Sequence, residues 1–110
     1  MEITERRTAD IVTLSLSGKL DTSTAKTFEA KILSQIESGD RRFIIDLAQL
    51  DYISSAGLRV FVFAAKRLAS GNGQIVLCSL KEPIREVFNI AGFLSDFPVY
   101  SSHNEAIKSL

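Results

Sequence analysis

Apolar and polar residues alternate from Val12 to Ser17. Val12, Leu14 and Leu16 fall on one side and Thr13, Ser15 and Ser17 on the other, the pattern of a half-buried strand that stops at Gly18. Residues 1–8 carry a weaker version of the pattern and read as an edge strand. The spacing then lengthens, with Ala25, Phe28, Ile32, Leu33 and Ile36 on one helical face and Lys26, Glu29, Ser34 and Gln35 opposite. Asp21, Thr22, Ser23 and Thr24 are candidate N-caps for this helix, and Gly39 suits the position just past its end. Residues 43–47 form a nearly continuous apolar run, as in a central strand covered on both faces. A second helix over residues 56–69 has few polar positions and is expected to be heavily buried; it ends at Ser70-Gly71-Asn72-Gly73.

Residues 74–78 give another buried strand. Pro83 opens a third helix, whose stripe is Ile84, Val87, Phe88 and Ala91 and whose end is Gly92. Residues 97–100 read as a last strand. Ser102 and Glu105 have capping-box spacing ahead of a short terminal helix. Two strands followed by alternating helix and strand predict an α/β sandwich with a mixed, mostly parallel sheet of four to five strands and about four helices. Strand order is not fixed by the pattern.

Composition narrows the function. The chain of 110 residues has the length of one domain, 1–110, and contains no linker-like stretch. Its 13 basic and 13 acidic residues cancel, which argues against direct nucleic-acid binding. Cys78 is the only cysteine, so neither an internal disulfide nor a paired-thiolate metal site can form, and a buried, small apolar role is expected for it. The first residues lack a secretory pattern and no apolar run is long enough to span a membrane, so a cytoplasmic protein is expected. No cofactor is implied. A serine hydrolase would need a base, but the only histidine, His103, falls in the terminal capping turn, where a solvated surface residue is expected; there is no Gly-x-Ser-x-Gly elbow or phosphate-binding Gly-x-x-x-x-Gly-Lys loop.

The most unusual segment is Leu50-Asp51-Tyr52-Ile53-Ser54-Ser55-Ala56-Gly57-Leu58-Arg59, between a buried strand and the most apolar helix. A helix start with free N–H groups favours an anion, and Ala56 and Gly57 leave those amides unshielded. Capping by Ser54 or Ser55 is the commonest use of serine at such a junction. Asp46 is placed at the strand end before the loop, where it can bond the loop backbone. Phe93, Leu94, Phe97 and Pro98 offer either core packing or an apolar rim, and Arg59 and Lys66 either contact an acidic partner or form a solvated helix edge.

Ile53-Ser54-Ser55-Ala56-Gly57-Leu58 resembles the phosphorylation motif of STAS domains, the fold of bacterial anti-sigma factor antagonists. Gly18-Lys19-Leu20-Asp21 is similar to the family's entry into its first helix, and Ile44-Ile45-Asp46-Leu47 to the strand before its phosphorylation loop. Gly73-Gln74-Ile75-Val76-Leu77-Cys78 and Val87-Phe88-Asn89-Ile90-Ala91-Gly92-Phe93 resemble the later strand and helix. The resemblance implies no catalytic residue and no cofactor. It implies partner switching, in which the unmodified protein binds an anti-sigma factor that is itself a serine kinase and so frees a sigma factor. Phosphorylation of Ser55 blocks docking and a PP2C-type phosphatase reverses the mark. The position before the phosphorylated serine is usually Asp in the family; here it is Ser54. Asp21, Thr22, Ser23, Asp46, Ser54, Ser55, Ala56, Gly57 and Arg59 are the expected partner-binding residues. The alternative use of the fold is as a subunit of a lipid-transport or stress-signalling assembly with no sigma-factor partner.

Overall fold

The computed structural model describes residues 1–110. In chain order the elements are β1 (Glu2–Thr8), β2 (Ile11–Leu20), α1 (Thr22–Glu37), β3 (Arg42–Ile53), α2 (Ser55–Ala69), β4 (Gln74–Cys78), α3 (Glu82–Ile90), β5 (Val99–Tyr100) and α4 (His103–Ser109). One five-stranded sheet has the order β1-β2-β3-β4-β5. β1 pairs antiparallel to β2, and all later pairs are parallel. Sequential parallel strands joined by crossovers of one hand put every crossover helix on the same side. α1, α2 and α3 accordingly bury Phe28, Ile32, Leu58, Phe61, Ile84 and Phe88 against one face of the sheet. The other face carries a small cluster in which Ala106 of α4 meets Ile11, Ile44, Val76 and Cys78.

Phe61 anchors α2. Its ring lies 5.2 Å from Phe28, 5.4 Å from Phe88 and 6.3 Å from Phe97, so α1, α2, α3 and the approach to β5 share one aromatic centre. Phe97 therefore belongs to the core, not to an exposed rim, and β5 shortens to Val99–Tyr100. Phe93 and Leu94 are half-buried and Pro98 is exposed. Ala91 is exposed at the C-cap of α3 instead of extending its stripe.

Three further strand and helix expectations change. β2 does not stop at Gly18; that residue sits inside the strand at φ +99°, and pairing continues to Leu20. β3 runs on to Ile53, where it still pairs with Leu20 of β2, and it carries two bulges. Asp46 and Gln49 oppose Ser15 and Ser17, three residues against two, and Leu50 and Tyr52 oppose Gly18 and Lys19. Each extra residue resets the alternation, so Leu47, Leu50 and Ile53 all enter the same core at a spacing of three. Finally, α2 is less buried than its composition suggests: Val62, Phe63 and Ala65 are half-buried, and Arg59, Lys66 and Arg67 are exposed. No helix is long and apolar enough to cross a membrane.

Candidate functional site

The carboxyl ends of β2 and β3 lie side by side, where the amide of Ser54 donates to the carbonyl of Leu20 at 2.9 Å. Each strand passes into its helix through a single residue, Asp21 or Ser54, which is also the N-cap. Asp21 Oδ1 accepts from the amides of Ser23 and Thr24 at 3.0 Å and from the Ser23 hydroxyl at 2.8 Å, while Thr24 Oγ1 accepts the Asp21 amide. These donors, the Thr24 amide foremost and then the Ser23 hydroxyl, hold the Asp21 carboxyl down at about 2.

The two serines divide the work at the next junction. Ser54 Oγ accepts the Gly57 amide at 3.2 Å, so Ser54 is the cap. Ser55 is the first helical residue, exposed, with its hydroxyl bonded to no other group of the chain. Of the four amides a helix start leaves over, Ser54 bonds Leu20 and Gly57 bonds Ser54; those of Ser55 and Ala56 stay free. An unengaged hydroxyl beside two unpaired N–H groups at the positive end of a helix packed along one face can accept a phosphoryl group and stabilise its charge.

Asp21, Thr22, Ser23, Ser54, Ser55, Ala56 and Arg59 are thus gathered at one end of the sheet. Thr22, Ala56 and Arg59 border the same groove between α1 and α2. Two expected members are not there. Gly57 is buried with its amide occupied, and a Cβ on it would lie 2.8 Å from Leu20 Cγ, so it serves helix-to-strand packing instead of a docking surface. Asp46 is not at a strand end. It lies within β3, eight residues and roughly 20–25 Å of strand before Ser54. Its Oδ1 accepts the Ala48 amide at 3.0 Å across the first bulge, on the sheet face that holds Cys78 and His103.

That opposite face also corrects the expectation for His103. The imidazole is half-buried, 2.8 Å from the hydroxyl of the buried Thr13, with the Arg6 guanidinium 3.3 Å from Nδ1. Burial first, and then the Arg6 charge, lower its pKa. Cys78 is fully buried as expected, and burial raises its thiol to about 11. Near Ser55 lie two features that the sequence pattern does not mark as functional, Tyr52, 49% exposed, and the Lys81–Asp51 ion pair at 2.6 Å. An aromatic directly before Ile53-Ser54-Ser55 was the available signal for Tyr52; Lys81 comes near Asp51 only through the fold.

A family model described as the STAS domain matches residues 2–106. BtrV of Bordetella bronchiseptica, whose description as an anti-sigma factor antagonist is itself provisional, is 44% identical over 96% of this chain and 91% of its own length. The anti-sigma-B factor antagonist of Listeria monocytogenes is 38% identical over 87% of this chain and 82% of its own. Among solved structures, the anti-sigma factor antagonist SpoIIAA of Bacillus, known in unphosphorylated and phosphorylated forms, has the same fold. Its unphosphorylated form superposes with a TM-score of 0.87 at 23% identity, over 98% of this chain and 95% of that one.

Proposed function

The chain belongs to the STAS-domain family, and from that premise we propose that it is a cytoplasmic anti-sigma factor antagonist, a single domain over 1–110, switched by phosphorylation of Ser55. The observation that carries this reading is the division of labour at the α2 start: Ser54 caps, and Ser55 presents a free hydroxyl beside two free amides. The names of the full-length relatives point the same way and give no support to a transport-subunit role.

In the unmodified state a partner, an anti-sigma factor that is also the serine kinase, docks across Ser55 with Asp21, Thr22, Ser23, Ala56 and Arg59 around it. Phosphorylation adds about −1.5 to −2 charges and three acceptor oxygens. A charge left unpaired in a desolvated contact costs several kcal/mol. Swinging a complex from nearly all bound to nearly all free requires about 5.5 kcal/mol, so one phosphate is of the right size. The free amides of Ser55 and Ala56 and the α2 dipole stabilise the phosphate in the free protein, so the fold need not change. A PP2C-type phosphatase resets the exposed ester. This is binding chemistry, with no catalytic role for Ser55: the sole histidine is held by Thr13 on the other side of the sheet.

Calorimetric titration with the cognate anti-sigma factor tests the reading. Ser55→Ala binds as the unmodified protein does and no longer responds to ATP, whereas Ser55→Glu and the phosphoserine form bind at least about tenfold more weakly. Equal affinity of all forms removes Ser55 from the switch.

A further inference from the structure

α2 carries more apolar surface than the core takes up. Phe61, Ala64 and Leu68 fasten the helix to the sheet, yet Val62 and Phe63 remain half-buried. With Val60 and Phe93 they line an open groove of about 550 Å³ between the first two turns of α1 and most of the length of α2. Along α2 the groove runs from Ala56 to Lys66, about 15 Å, or some three helical turns. Its border carries Lys26, Arg59 and Lys66 against a single acid, Glu29, and none of the four belongs to any of the chain's ion pairs. In a chain whose charges cancel, this is a local cationic excess around an apolar floor.

We propose that this groove receives an amphipathic helix of the partner, apolar on one face and bordered by aspartates and glutamates. Three unpaired cations around a three-turn apolar channel are complementary to such a segment. A second copy of this chain is disfavoured, because in a two-fold contact the cationic border would meet itself. Assignment of the helix to the anti-sigma factor rests on the reading above. The groove begins at Ala56, beside Ser55, so a phosphate there also repels an acidic occupant.

The test uses isotope-labelled protein titrated with two synthetic helical peptides that share one leucine face, one bordered by glutamates and the other by lysines. The glutamate peptide is expected to move the amide signals of Val60, Val62, Phe63 and Lys66 and to bind about tenfold tighter than the lysine peptide at low salt. Lys26→Glu with Lys66→Glu reverses that preference. Both lysines are exposed and unpaired, so signals away from the groove stay in place. Equal binding of the two peptides, signals moving elsewhere, or the same shifts on concentrating the protein alone would each overturn the proposal. The reversed lysines lie away from Ser55, so failure here leaves the Ser55 titration intact. A Ser55 titration without effect equally leaves the peptide result standing.

Discussion

Leu20 occupies the space that a side chain on Gly57 would need: Cγ of Leu20 lies 2.8 Å from the position of a Gly57 Cβ, with Ile53 Cγ1 at 3.1 Å. Leu20 is fully buried and its branch carbon cannot swing aside. Ala in place of Gly gains at most about 1 kcal/mol of helix propensity, while overpacking a close-packed core costs about 1–3 kcal/mol. Gly57→Ala is therefore expected to destabilise the fold by about 1 kcal/mol despite improving the helix sequence, as read from the denaturation midpoint. An unchanged or raised midpoint would show that α2 can lift off the β2 end freely.

The neighbouring serines should separate cleanly in stability measurements. Ser54→Ala removes the acceptor of the Gly57 amide and costs about 1 kcal/mol. Ser55→Ala removes a hydroxyl with no partner and leaves the midpoint within about 0.5 kcal/mol of the parent. A large loss in Ser55→Ala would assign that hydroxyl a structural bond.

Asp21 gives acid sensitivity with a definite sign. Its carboxyl is held at about 2 in the folded chain by the Thr24 amide and the Ser23 hydroxyl, below its unfolded value near 3.9. The cap stabilises α1 fully above about pH 4 and is lost as pH falls toward about 2. Asp21→Asn, which keeps an acceptor without the charge, should flatten the stability curve in that window. An equally steep curve in Asp21→Asn would place the acid response elsewhere.

His103 acts in a higher window. Burial and Arg6 lower its pKa, so the neutral ring is favoured in the folded state. The stabilisation is present above the unfolded pKa of about 6.5 and declines as pH falls through the folded value. His103→Gln should remove that slope between neutral and mildly acidic pH, with loosening of α4 reported by hydrogen exchange at Ala106.

Cys78 should be inert. It is fully buried, and its thiol is raised to about 11, chiefly by burial, so almost no thiolate exists at neutral pH. A disulfide reagent should leave it unmodified in native protein and label it on unfolding. Rapid native labelling would show that the α4 side of the sheet opens.

Much of this molecule is legible in one dimension. The alternation of Val12 to Ser17, the helical spacing of Ala25, Phe28, Ile32 and Ile36, the proline at Pro83 and the Ser54-Ser55 junction are local signals, fixed by neighbours a few residues apart. They determine the α/β class, the existence of the helices and the segment on which a switch can sit. What the tertiary structure alone decides is which side each residue faces. The bulges of β3 arise from its register against Ser15, Ser17 and Gly18, and they send Leu47, Leu50 and Ile53 into the core while Asp46 stays on the opposite face, far from Ser55. Gly57 is a packing residue because Leu20 fills the space beside it, and His103 is a half-buried anchor because Thr13 waits ninety residues earlier. Periodicity along a chain reports burial of a face; only pairing between distant segments sets which groups share it, and that pairing leaves Ser55 exposed while its neighbour caps the helix.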